Sequence, residues 1–261
     1  MKLYTTPYHY DLIKDTDRVS AFYEAIQDIK QENNHIVFDL GTGVGLMSIF
    51  LADKYDEVIA IEINPESIKQ AKKNLSPYNN IQLIHDDAST YKFNKKTDLI
   101  VCEMLDTALI DEEQVPVLNN TLKYLKPKGK TIPYGIINIA EPLHMKTPHL
   151  TYEDVNQKLN YQIIADKIIY DKIIFNKPIK PEYHTILKFN TTHDKKINAI
   201  KLTTLTLVNE NIILGPTPML NPPLIIPLEK ETNTTTNELE IELEYTMGEG
   251  IQTIKTNTKM I

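Results

Sequence analysis

The stretch Ile36–Ala52 (IVFDLGTGVGLMSIFLA) constrains the fold more than any other. The chain of 261 residues has eight glycines, and three of them stand at positions 41, 43 and 45. A short apolar run precedes them and a helix-compatible run follows, so the segment reads as strand, tight turn, helix. Glycine at such a turn lets the backbone reverse sharply and lets a ligand approach the main chain. Apolar runs at His35–Leu40, Val58–Ile63, Ile81–Ile84 and Asp98–Cys102 alternate with helix-compatible segments at Gly45–Lys54, Pro65–Leu75 and Glu112–Leu125. A helix at Asp15–Ile29 precedes them, with Val19, Phe22, Ile26 and Ile29 on one face. Strands and helices alternating at this pitch imply βαβ units around a parallel sheet.

The chain changes character near residue 134. Nine of its 15 prolines lie beyond that point, among many β-branched residues. Strands are expected at Gly135–Glu141, Thr185–Asn190, Ala199–Leu207, Leu224–Glu229, Leu239–Tyr245 and Ile251–Thr256. Period-two alternation, as in Leu239, Ile241, Leu243 and Tyr245, points to antiparallel strands with one buried face. Asn233–Asn237 reads as a hairpin loop, and Pro127, Gly129 and Pro133 punctuate the junction. The expected architecture is α/β: a parallel-sheet domain with its leading helix over residues 1–133, then a β-rich domain over 134–261.

With 41% hydrophobic and 24% charged residues, the chain can bury a substantial core. No apolar run approaches the ~18–20 residues of a membrane span. The mixed polar N-terminus resembles neither a secretory signal nor a transit peptide, so a cytoplasmic protein with no membrane partner is expected. One cysteine, Cys102, leaves no disulfide framework and no cysteine-rich metal site, and no bound metal is expected. The net charge of −7 disfavours general capture of nucleic acid and suits a cationic partner. Among 28 basic side chains only Arg18 is an arginine, which suggests a place where a flat, bidentate fork is required.

Glu62 lies 19 residues after Gly43, at the end of the second strand, where an acid receives the two hydroxyls of a ribose. A nicotinamide-binding protein fits this much equally well. Two details tilt the choice. The turn lacks the third glycine at dinucleotide spacing, and Asp39, at the end of the first strand, would repel a pyrophosphate but suit an ammonium group. A nucleoside carrying an amino acid meets both conditions. Phe38–Gly45 resembles the first motif of the class I S-adenosylmethionine-dependent methyltransferases, whose fold is Rossmann-like. The resemblance implies S-adenosylmethionine as cofactor, with Asp39, Gly41 and Gly43 around its amino-acid end and Glu62 on its ribose. The later His85-Asp-Asp-Ala-Ser-Thr run resembles the adenine-contact motif, which puts Asp87 near the exocyclic amine and the Ala88 backbone near the ring.

After the fourth strand, DLIVCEMLDTALIDEE lacks the Asn/Asp-Pro-Pro-aromatic tetrad of base-amine methyltransferases. Instead Glu103 and Glu112 stand nine residues apart. Two acids at the ends of a hairpin-like loop can grip a planar guanidinium through parallel charge-assisted hydrogen bonds. A solvated acidic loop is the plainer alternative, since Asp106, Asp111 and Glu113 surround them. A metal site is disfavoured because no histidine is near in sequence. The spacing resembles the double-glutamate loop of protein arginine methyltransferases, which implies that Glu103 and Glu112 are catalytic. The segment His9-Tyr-Asp-Leu-Ile-Lys-Asp15-Thr-Asp-Arg18 resembles that family's N-terminal motif. It implies that Arg18 clamps the cofactor carboxylate and that His9 lines the pocket, with Tyr4, Tyr8 and Tyr10 available to close over it.

The resemblance covers the layout of nearly the whole chain, including a barrel-like C-terminal half. It thins beyond Glu112. The family's Thr-His-Trp loop corresponds to Thr217–Glu229, with Leu220 and Asn221 in the places of His and Trp, so Asp15 is expected to lack its histidine partner. The segment 146–170 would carry the family's dimerisation arm, and its stripe of Val155, Leu159 and Ile163 reads as a helix, either such an arm, which makes a homodimer possible, or a plain packing helix. The other histidines (35, 85, 144, 149, 184, 193) show no ligand-like spacing. The expected activity is methyl transfer to a cationic nitrogen on a protein or another substrate. An RNA or small-molecule methyltransferase on the same cofactor domain, and a non-catalytic cofactor-binding protein, are the alternatives.

Overall fold

The computed structural model describes residues 2–29, 35–191, 195–234 and 238–260. The helices are α1 (Pro7–Lys14), α2 (Thr16–Asp28), α3 (Leu46–Ala52), α4 (Pro65–Leu75) and α5 (Gln114–Thr121). Five parallel strands, β1 (Ile36–Leu40), β2 (Glu57–Glu62), β3 (Ile81–His85), β4 (Thr97–Cys102) and β5 (Leu125–Ile132), stand in the order β3-β2-β1-β4-β5. The chain therefore reverses its direction of travel between β1 and β4. In open parallel sheets the crevice at such a reversal, beyond the carboxyl ends of the strands, is where ligands sit.

The remaining strands are β6 (Gly135–Met145), β7 (Thr151–Tyr152), β8 (Tyr161–Ile163), β9 (Ile168–Ile174), β10 (Glu182–Asn190), β11 (Lys196–Leu207), β12 (Ile213–Leu214), β13 (Leu224–Asn233), β14 (Glu238–Thr246) and β15 (Lys255–Met260). Seven of them form one curled antiparallel sheet, the barrel-like half, around the path β7-β13-β11-β6-β8, with β9 on β6 and β12 on β11. Strands β10, β14 and β15 form a second, three-stranded sheet. Tyr183 of β10 stacks on Tyr245 at 4.9 Å and meets Tyr170 of β9 edge-on at 6.1 Å, which joins the two sheets. One continuous apolar core runs through both halves, from Phe22 and Phe38 through Leu109 to Leu187 and Leu243. Each such fully buried side chain contributes about 1.5–3 kcal/mol.

Three expectations are corrected. Residues 125–132, read as a junction, form the edge strand β5. A register shift opposite Thr97–Leu99 absorbs Pro127 and Gly129, as edge strands allow, and Lys126 bonds Asp98 at 2.8 Å. The segment 146–170 contains no helix. Its isoleucines enter β8 and β9, which pair with β6, so the helical stripe was a coincidence of spacing in a β-branched stretch. Ile251–Thr253 is a 3-10 turn rather than strand, closed by the Thr253 hydroxyl on the Gly250 carbonyl at 2.8 Å, and the strand begins at Lys255. The hairpin loop expected at Asn233–Asn237 lies partly outside the described residues, as does His193.

Candidate active site

The glycine turn is built as its sequence demands. Gly41, Gly43 and Gly45 all have positive φ, and a Cβ on Gly43 would stand 2.6 Å from His9 Nε2. Close seating of α1 on the turn therefore requires glycine at 43. Asn74 of α4 ties the same region together: its side chain bonds the Tyr4 backbone twice and the Val44 carbonyl once, each at 2.8 Å. Thr6 caps α1 and its hydroxyl lies 2.8 Å from His9 Nδ1, which orients the imidazole. Burial lowers the pKa of His9, with Glu62 opposing and Arg18 reinforcing the shift.

Glu62, at the end of β2, accepts from Gly43 N at 2.8 Å and from Asn64 N at 2.7 Å. A carboxylate has about four acceptor positions, so two remain for a ligand. Asp39, at the end of β1, is 2% exposed and accepts from Thr42 Oγ1 at 2.6 Å and Ser48 Oγ at 2.5 Å. Burial pushes its pKa up to about 6 against those two hydroxyls, and the charge of Glu62 adds to the rise. Asp87 accepts from the backbone and hydroxyl of Ser89 at 2.8 and 2.7 Å. Asn120 of α5 donates to the carbonyls of Ala88 and Tyr91, both at 2.9 Å, and so holds this turn against the sheet.

Arg18 is 6% exposed. It forms an ion pair with Glu103 through Nη2 and donates to the Leu12 carbonyl at 3.3 Å through Nη1, while Nε has no protein partner. Burial pushes its pKa down to about 10 against the pull of Asp15, which leaves it cationic at neutral pH. The side chain expected to clamp the cofactor and one of the two expected catalytic acids thus stand in direct contact. Gln114, fully buried at the start of α5, accepts from Met104 N at 3.0 Å and from Cys102 Sγ at 3.4 Å, holding the two neighbours of Glu103. Glu112 lies at the exposed end of the loop, its pKa raised by partial burial and by Asp111 and Glu113.

The loop between the two glutamates is braced from the β-rich half. Ala108 N donates to Thr204 Oγ1, and Thr107 Oγ1 to the Pro222 carbonyl, both at 2.8 Å. Gly248 and Gly250 amides close on the Leu109 and Ile110 carbonyls at 2.9–3.1 Å. Asp15, expected to lack a histidine partner, has none from the late loop and is met there by other groups. Its carboxylate takes the Thr217 hydroxyl and, at 3.0 Å, the Met219 amide, while its other oxygen caps α2. Leu220 and Asn221 are fully buried behind the turn, so Met219 is the residue that reaches the cavity.

A single cavity of about 430 Å³ contains the whole constellation: His9, Arg18, Asp39, Gly41, Gly43, Glu62, Asp87, Ala88, Glu103 and Glu112 all line it. Tyr8 also lines it, whereas Tyr4 and Tyr10 do not; those two stack under the ammonium groups of Lys2, Lys73 and Lys14. Asn64 and Met219 join the lining without a sequence signal that singled them out. Elsewhere His184 meets Glu242 at 2.9 Å and Glu244 at 3.8 Å across β10 and β14, an exposed cross-strand cluster. Among the described residues no helix is long and apolar enough to cross a membrane.

The family described as "Methyltransferase domain" matches residues 37–129. Over 98% of its own length the chain is 39% identical to an uncharacterized protein of Methanothermobacter thermautotrophicus, 98% of which is covered. It is 31% identical over 134 residues to protein arginine N-methyltransferase 6 of Danio rerio, covering 48% of this chain and 37% of that protein. A solved structure described as the Trypanosoma brucei PRMT1 enzyme-prozyme heterotetrameric complex with AdoHcy superposes with a TM-score of 0.75 at 14% identity, covering 96% of each chain.

Proposed function

Because the chain belongs to the class I S-adenosylmethionine-dependent methyltransferases and shares a family with the archaeal protein above, we propose that it transfers the methyl group to a cationic nitrogen, as in arginine methylation of proteins. The observation that carries this reading is the continuity of one cavity from the glycine turn to the two glutamates. In it, Glu62 would hold the ribose, Asp39 the α-ammonium, Arg18 the carboxylate, and Asp87 with the Ala88 backbone the adenine. Arg18 offers five donors in a flat fork, enough for a ligand carboxylate beside Glu103. The cofactor supplies the electrophilic methyl group. Glu103 and Glu112 would accept hydrogen bonds from a guanidinium and aim one nitrogen at that methyl. Their contribution is positioning and stabilisation of positive charge. The acidic loop at the cavity mouth (Asp111, Glu112, Glu113) and the net charge of −7 suit a basic protein substrate better than an RNA backbone. In this reading residues 1–133 bind the cofactor and residues 134–261 brace the acid loop.

The test is incubation with methyl-labelled cofactor and a basic, arginine-containing peptide. Label on arginine is expected from the wild type. E103Q and E112Q are expected to lose about 100-fold or more in turnover, the scale of losing one preorganised electrostatic contact. S-adenosylhomocysteine binding should survive in E112Q. Full turnover in both variants would refute the acid-pair assignment.

A further inference from the structure

Between Glu103 and Glu112 the chain folds around a buried carboxylate to which methyl transfer assigns no task. Asp106 is 6% exposed. Its Oδ2 accepts from Asp111 N at 2.9 Å and from Ile110 N at 3.2 Å, and its Oδ1 accepts from Glu112 N at 3.3 Å. The Tyr152 hydroxyl, from β7 in the other half of the molecule, donates to Oδ2 at 3.2 Å. A carboxylate taken out of water is costly unless hydrogen bonds replace its solvation; here three amides of one turn and a phenol offset part of that cost, while burial still pushes the Asp106 pKa up to about 7.

The turn needs such support. Ala108 and Leu109 have φ of 60° and 61°, a left-handed conformation that costs roughly 1–2 kcal/mol per non-glycine residue. Thr204 and Gly248 hold the turn from outside, and Asp106 holds it from within. One of the three amides on Asp106 belongs to Glu112 itself, so the point from which the Glu112 side chain departs is set by that carboxylate.

We propose that Asp106, steadied by Tyr152, is a positioning residue that fixes Glu112 relative to Glu103 and thereby fits the acid pair to a guanidinium. The proposal rests on the acid-pair reading above. It makes a chemical distinction that substitution can exploit. An asparagine at 106 can place its oxygen where Oδ2 accepts three donors, but its amide then faces Glu112 N, donor against donor. D106N therefore releases the Glu112 backbone while leaving the Glu112 side chain intact.

The experiment uses the full chain and two probes: S-adenosylhomocysteine, and an adenosyl analogue carrying an alkylguanidinium where the transferable methyl stands. Wild type should prefer the guanidinium probe. E112Q and D106N should each lose about tenfold or more of that preference, the scale of a hydrogen bond to a charged group, and keep their affinity for S-adenosylhomocysteine. Y152F, which removes one of four donors, should show a smaller loss. It serves as the deciding variant if thermal unfolding shows that D106N does not fold. Loss of preference in E112Q but not in D106N, or none in Y152F when it must decide, overturns the positioning role alone. An unaltered preference in E112Q overturns the acid-pair reading and this proposal with it.

Discussion

Asp39 carries the pH behaviour of the cavity. Buried beneath the glycine turn, with a pKa near 6, it is ionised at pH 7.5 and takes up a proton as the pH falls through 6. Only the ionised form attracts a ligand ammonium. Affinity for S-adenosylhomocysteine is therefore expected to be level above about pH 7 and to fall below 6, approaching tenfold per pH unit. His9 also titrates in this cavity and is held below its ordinary value. The Asp39→Asn variant separates the two groups: it should bind weakly at every pH and lose the break that Asp39 causes. Calorimetry at pH 7.5 and 5 reads the effect, and equal affinities in the wild type would show that the carboxylate does not meet the ammonium.

At the scale of elements, the break between α1 and α2 organises the entrance. Asp15 ends α1, caps α2 through Arg18 N at 3.2 Å, and grips the turn at Thr217 and Met219. Losing a cap and a buried charged hydrogen bond costs about 1–3 kcal/mol together, so Asp15→Ala should lower the unfolding free energy by that much, read as a lower denaturant midpoint, and Thr217→Val by less. An unchanged midpoint in both would remove the clamp from the account. The first four parallel strands were legible in the sequence because each ends in turn chemistry and its apolar run matches a buried strand, whereas β5, interrupted by Pro127 and Gly129, was not. Asp39, Glu62 and Glu103 were also legible as residues lining one cavity, since position at a strand end singles them out. The Asp15–Thr217 contact was not legible, because it joins residues 202 apart in sequence through a hydroxyl that no local spacing marks. Asp106 read as one more acid in an acidic loop, since nothing local marks a carboxylate as buried. The segment 146–170 failed for a different reason. Strands β8 and β9 are two short pieces whose isoleucines satisfy a helical stripe as readily as a pleat, and only pairing with β6 decides between them.

At the scale of the molecule, the parallel sheet delivers Asp39, Glu62 and Glu103 from the ends of β1, β2 and β4 to one crevice, and the antiparallel half holds the acid loop over it. Thr204, Pro222 and Gly248 lie far along the chain from that loop, yet all three bond to it, and one apolar core is continuous across both halves. The central claim is that one cavity presents a sulfonium nucleoside to a pair of carboxylates. A crystal structure with S-adenosylhomocysteine tests it most directly. The account predicts ribose hydroxyls on Glu62, the ligand carboxylate on Arg18, and the sulfur facing the space between Glu103 and Glu112. A ligand bound with its sulfur turned away from both glutamates, or seated outside this cavity, would contradict it.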